Sequence, residues 1–197
     1  MSRKSEVARA DIMEMAEYGK IRRDHRRQLT EFKRQRRMEV GPYMTFLFES
    51  YETMWAQIHE MLYIEGGGEA QIPGELEAYN PLIPKGAEIV ATMLIEVPDP
   101  DRRQRVLMEL GHVEDAIFLV VAGRKIKAVI DEDDVERTRE DGKTSSVHFL
   151  RFPFAADQIA AFRTTGTDVV LSVEHPRYGH MAKMPDNVRE ALSRDFD

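Results

Sequence analysis

The chain has 197 residues, a net charge of −7, 42% hydrophobic and 32% charged residues, and no cysteine. That length allows one filled core, or a core with a helical appendage. The composition is that of a folded soluble protein, and without cysteine this chain supplies no disulfide framework, thiolate nucleophile, iron–sulfur ligand or zinc knuckle.

Charge is unevenly placed. Met1 to Glu39 carries twelve Lys/Arg against seven Asp/Glu, so the rest of the chain is strongly acidic. A basic arm ahead of an acidic body predicts a protein that docks something. A net acidic chain is a poor prior for general nucleic-acid binding, although a local basic patch can override the total. The opening MSRKSEVARAD has no apolar stretch of signal-peptide length, and apolar runs such as Ala116 to Ala122 are too short to span a bilayer. The expectation is a cytoplasmic protein without a membrane segment.

In chain order, Arg9 to Met38 reads as mostly helical, with Ile21, His25, Leu29, Phe32 and Arg36 recurring every three or four residues. Gly19 is read as separating a short first helix, Asp11 to Tyr18, from the second, and Gly41-Pro42 as ending the run. Thr45 to Ile64 is predicted as a more apolar helix with Phe48, Tyr51, Trp55, Ile58 and Leu62 on one face, stopped at Gly66-Gly67-Gly68. Glu69 to Asn80 is a short third helix interrupted near Pro73-Gly74. The period then changes. Strands are predicted at Glu88–Val97, Ala116–Val121, Arg124–Ile130, Val147–Phe154 and Asp168–Glu174, with a hairpin turn at Ala122-Gly123. Helices are predicted at Asp101–Leu110, Ala155–Phe162 and Pro185–Asp195, with Pro100 well placed at the first turn of the earliest. The pattern indicates an α+β fold: N-terminal helices packed on a mostly antiparallel sheet of four to five strands, with interspersed helices. Residues 1–86 form the helical region with its basic arm and 87–197 the α+β body, as one continuous unit.

Candidate chemistry is sparse. Glu109-x-x-His112 has the spacing of carboxylate-bridged metal helices, but Gly111 lies inside it and no second copy exists. Glu60, beside His59 on the Trp55 helix, could serve a hard divalent ion or a substrate amine; the bland alternative is a solvated face. Asp131, Glu132, Asp133 and Asp134 follow a strand directly but lack EF-hand spacing. His148 lies on a strand among Leu150, Phe152 and Phe154, where a histidine is usually a core-edge residue; it becomes a ligand only if Asp131, Asp134 or His175 comes within reach. His175 is stiffened by Pro176 and could be a ligand or an acid/base group. Ser145 and Ser146 beside His148 lack a nucleophile elbow, and no phosphate-binding glycine motif is present. The basic helix lacks interleaved aromatic residues for stacking on bases. Arg23, Arg27, Arg34 and Arg37 are therefore read as a face for an acidic protein, which could be a separate partner, this chain's own body or a second copy.

The stretches GPYMTFLFESYETMWAQIHEML, EAYNPLIPKGAEIVATMLIEVPDPDRR, DEDDVERTREDGKTSSVHFLRF and VEHPRY closely resemble the DUF3501 family, bacterial proteins of unassigned function, from about Asp11 to the terminal helix. The resemblance implies a role beside a rubrerythrin-like protein and an iron–sulfur oxidoreductase, near iron, peroxide defence or electron transfer. It makes Gln57, Glu60, Asn80, Pro81, Glu96, Asp131, Glu132, Asp133, Lys143, Thr144, His148 and His175 candidates as members of motif segments.

Two readings compete. The first is an accessory or assembly protein that docks a redox or metal-containing partner through Arg23, Arg27, Arg34 and Arg37, whose guanidinium forks suit carboxylates. The second is a metal-dependent enzyme or metal-binding protein in which Glu60, Asp131, His148 and His175 hold iron, manganese or zinc. A regulatory RNA-binding role is a weaker third.

Overall fold

The computed structural model describes residues 4–130, 138–139 and 141–197. The fold is α+β, with its strands in two four-stranded antiparallel sheets and a layer of N-terminal helices on the first of them. Helix α1 (Met15–Arg34) leads into strands β1 (Arg37–Val40) and β2 (Met44–Phe48), then α2 (Tyr51–Glu65) and α3 (Ile72–Tyr79). Strand β3 (Glu88–Ile95), helix α4 (Pro100–Glu109) and the hairpin β4 (Ile117–Val121) and β5 (Arg124–Lys127) follow. The chain ends with β6 (Val147–Pro153), α5 (Ala156–Arg163), β7 (Val169–His175), β8 (Tyr178–Lys183) and α6 (Asp186–Leu192).

The first sheet has the order β1-β2-β3-β6 and the second β5-β4-β7-β8. The first takes two strands from each side of residue 86. Their inner faces share one core, with Phe46, Met93, Leu150 and Phe152 meeting Leu119, Leu171 and Val173. The sheets also approach at their edges. Val129 bridges Arg151 beyond β5, and the Tyr178 hydroxyl donates to Val40 O at 2.7 Å while accepting from Tyr43 N–H at 2.9 Å. A second core lies under the helices: Ile12, Met54, Ile58, Leu62 and Ile72 pack with Trp55 and with Phe149 from β6. Among the described residues no helix is long and apolar enough to cross a membrane.

Local differences from the sequence reading have physical causes. Gly19 does not divide α1, because the glycine admits the Tyr63 ring; a Cβ there would stand 3.1 Å from it. Helix α1 stops at Arg34, and Arg-Met-Glu-Val alternates exposed and buried as β1. Gly41-Pro42 is thus a hairpin turn between strands, with Gly41 at φ +66°. The predicted helix from Thr45 starts later, because Ser50 is its N-cap: the Ser50 hydroxyl accepts from Thr53 N–H, and the Thr53 hydroxyl accepts from Ser50 N–H. The apolar run before that cap is β2, buried along most of its length. Strand β8 escapes a hydrophobic-pattern reading because it is an edge strand, largely exposed, with Lys183 at its end.

Candidate functional site

Helix α1 lies antiparallel along α2. Tyr18 meets Tyr63, Arg22 meets Glu60 and His25 meets Trp55. Tyr18 is fully buried at this seam, where its ring also touches Trp55 and His59. His59 is buried with both ring nitrogens assigned by geometry. Its Nδ1–H donates to Trp55 O at 2.7 Å, and its Nε2 accepts from Met13 N–H at 3.1 Å. It is a neutral structural histidine, and burial holds its pKa below the ordinary value.

Glu60 is consumed at the same seam. Its carboxylate accepts two hydrogen bonds from Arg22, at 2.9 and 2.8 Å, and one from the Tyr18 hydroxyl at 2.9 Å. The Arg22 hydrogen bonds hold the Glu60 carboxyl below its usual range, with help from Tyr18. Burial, followed by the Glu60 contact, pushes the Tyr18 phenol up, so it remains a donor. Arg22 also lies over the Tyr63 ring, 4.7 Å from its centroid.

Away from the seam, α1 presents its charges sorted by side. At about 100° per residue, Arg23, Arg27 and Arg34 fall within about 40° of arc on the outward surface. Arg22, Arg26 and Lys33 continue the basic surface toward α2, whereas Glu17, Asp24 and Glu31 occupy the opposite flank. The ion pairs Arg27–Asp24 (3.2 Å) and Arg34–Glu31 (2.8 Å) join i,i+3 neighbours that are all more than 60% exposed. Such pairs hold their partners weakly. Among the described residues Arg23 and Arg26 have no ion pair. Arg37, expected with the other three, sits on β1 instead, beside Glu39 at 3.0 Å and Glu96 at 3.8 Å.

Arg36 departs furthest from a solvated basic side. It is 3% exposed, paired with Asp195, and donates to the carbonyls of Phe48 (2.9 Å), Glu49 (2.8 Å) and Ala191 (3.5 Å). A hollow of about 240 Å³ opens above it between Phe32, Tyr51 and Arg194, but the guanidinium is already committed to the fold.

The remaining candidates lie elsewhere. Alternation along β6 turns His148 toward the inter-sheet core and Phe149 toward the helical core. Glu60 and His148 therefore occupy opposite sides of the first sheet. His148 donates from Nε2 to Ser145 O at 2.9 Å, while its Nδ1 lies 3.5 Å from Glu114 Oε2. His175 donates from Nε2 to Gly111 O at 3.2 Å, and its Nδ1 accepts from Arg177 N–H. The two histidines thus reach one turn, Gly111 to Glu114, each from its own sheet: His175 by a hydrogen bond to Gly111, His148 by its approach to Glu114. That turn is tight: His112 has φ +59°, and a Cβ on Gly111 would stand 2.6 Å from Gly142 O. Asp131 lies outside the described residues. Among the described residues no three His, Asp or Glu side chains gather as a metal site. Sequence reasoning missed Glu114, whose burial shows only in three dimensions. It also missed Arg22, Arg26 and Tyr63, although Tyr18 and Arg22 stand one helical turn apart.

A family model described as a protein of unknown function, DUF3501, matches residues 6–196. The chain belongs to the DUF3501 family. A crystal structure of a novel protein of unknown function from Burkholderia pseudomallei K96243 is 34% identical to this DUF3501 protein. The similarity covers 97% of this chain and 99% of that one, with a TM-score of 0.89. No curated protein matches.

Proposed function

We propose that this DUF3501 protein is an accessory protein that docks an acidic partner through the exposed arginine face of α1. The partner class follows the family resemblance: a redox or metal-containing protein of the rubrerythrin-like or iron–sulfur oxidoreductase kind. One observation carries the reading. Arg23, Arg27 and Arg34 share an outward stripe and meet only exposed neighbours, whereas Arg36 is tied into the fold. Guanidinium groups on a rigid helix suit carboxylates across a contact, because little backbone order has to be gained on binding.

The test is binding of a purified rubrerythrin-like or iron–sulfur partner to wild type and to the Arg23→Ala/Arg27→Ala/Arg34→Ala variant over a range of salt. The expected result is a wild-type complex that weakens as salt rises and a variant affinity lower by about tenfold or more, with a shallower salt dependence. Equal affinity in the two proteins would remove the docking face.

A further inference from the structure

Between α1 and the end of α2 lies an open groove of about 420 Å³ lined by Gly19, Arg22, Arg23, Arg26 and Tyr63. Its floor is built rather than incidental. Gly19 admits the Tyr63 ring against the α1 backbone, and that ring supports the flat face of Arg22. Glu60 takes the Arg22 Nε–H and one Nη2–H in a two-point contact, and the buried Tyr18 hydroxyl fixes Glu60 from behind. The three remaining Arg22 N–H donors have no hydrogen-bond partner among the described residues. Arg23 and Arg26 add two further cations with none.

We infer that this groove is a carboxylate-binding subsite, in which Glu60 positions Arg22 to receive a Glu or Asp side chain from an acidic protein segment. The inference rests on the docking reading above and names the chemistry of its anchor point. An arginine locked by a carboxylate and an aromatic ring loses little side-chain freedom when a ligand arrives, so it contributes more than the mobile arginines farther along α1. The ligand is a segment rather than a free ion because the basic surface continues from Arg23 to Arg34, about 16 Å at the helical rise. It is protein rather than nucleic acid because Glu17, Asp24 and Glu31 flank that surface. A protein segment can supply cations to pair with those acids, and a phosphate backbone cannot.

The test uses full-length protein and a fluorescent glutamate-rich helical peptide at low salt, with pyrophosphate and a single-stranded oligonucleotide as competitors. Arg22→Lys and Arg26→Ala should each weaken peptide binding about tenfold, as expected for loss of a charge-assisted hydrogen bond, with melting temperatures near wild type. Glu60→Gln is the diagnostic variant. It makes the protein more basic, so bulk charge alone would tighten binding, whereas loss of positioning weakens it. Weaker binding with an intact fold supports the subsite, and tighter or unchanged binding overturns it. Should Glu60→Gln fail to fold, Arg22→Lys decides. If Arg27→Ala/Arg34→Ala loses the peptide while the groove variants keep it, the subsite fails and the docking face stands. No peptide binding by wild type defeats both. Displacement of the peptide by pyrophosphate or the oligonucleotide at lower concentration than by unlabelled peptide overturns the carboxylate assignment.

Discussion

Arg34 and Arg36 are two residues apart, yet they belong to regions with opposite physics. Arg34 stands in water with Glu31, on a face whose every cation is exposed. Arg36 lies where α1 turns into β1, buried with Asp195 and capped by carbonyls from β2 and the C-terminal helix. The arginines of the first region leave their donors available to a second molecule. The arginine of the second spends them joining the N-terminal and C-terminal ends of the chain. A run of basic residues in a sequence is therefore not one feature, and the position at which the helix stops decides which arginine does which task.

The comparison is broken most severely at the buried end. Arg36→Ala removes the guanidinium that pairs with Asp195 and donates to the Phe48 and Glu49 carbonyls, with an expected loss of about 3–5 kcal/mol. Arg36→Lys keeps the charge but loses the fork and should recover only part of it. Urea unfolding followed by far-UV circular dichroism measures both. An Arg36→Ala midpoint within error of wild type would mean that this junction is not structural.

The seam between α1 and α2 is intermediate, and acid should find it. Burial holds the His59 imidazole below its ordinary value of 6.5. As pH falls, the unfolded chain takes up a proton at His59 before the folded chain does. The stability contribution is therefore present above about pH 6.5 and declines from there toward the depressed folded value. His25 lies near enough to oppose protonation further, and the Met13 N–H would lose its acceptor once Nε2 carried a proton. Urea midpoints between neutral pH and about pH 5 should fall more steeply for wild type than for His59→Gln. Parallel slopes would place the acid sensitivity elsewhere.

How much of this was legible depends on which interactions are local. The α+β class, α4, the β4–β5 hairpin, β7 and the glycine stop after α2 follow from periodicity and turn chemistry, which act over a few residues. Strands β1 and β2 did not, because their identity comes from pairing: Met38 opposite Phe46, and Phe46 opposite Met93. A short apolar run next to a helix looks the same whether it continues the helix or pairs with a distant strand. The Ser50 cap was the one local signal that could have separated the two. Arg23, Arg27 and Arg34 were legible as an outward stripe because exposure needs only helical geometry. Glu60 stands out in the sequence only as a candidate for an ion or a substrate amine, because its tie to Arg22 and Tyr18 depends on how two helices dock. His148 and His175 converge on a single turn through two different sheets, which no spacing in the sequence encodes.

The smallest stability effect belongs to the exposed face, and it sharpens the comparison most. Arg27 and Arg34 each bond an i,i+3 carboxylate in water, where screening and side-chain entropy cancel most of the attraction. Arg27→Ala/Arg34→Ala should leave the urea midpoint unchanged, since alanine is also the best helix former. The same double variant should lower affinity for an acidic partner, so folding and binding would separate cleanly at these positions. At Arg36 they cannot separate, because whatever unfolds the chain also removes the face. A double variant that loses substantial stability would show that the arginine stripe supports α1 itself, and the distinction between the two regions would collapse.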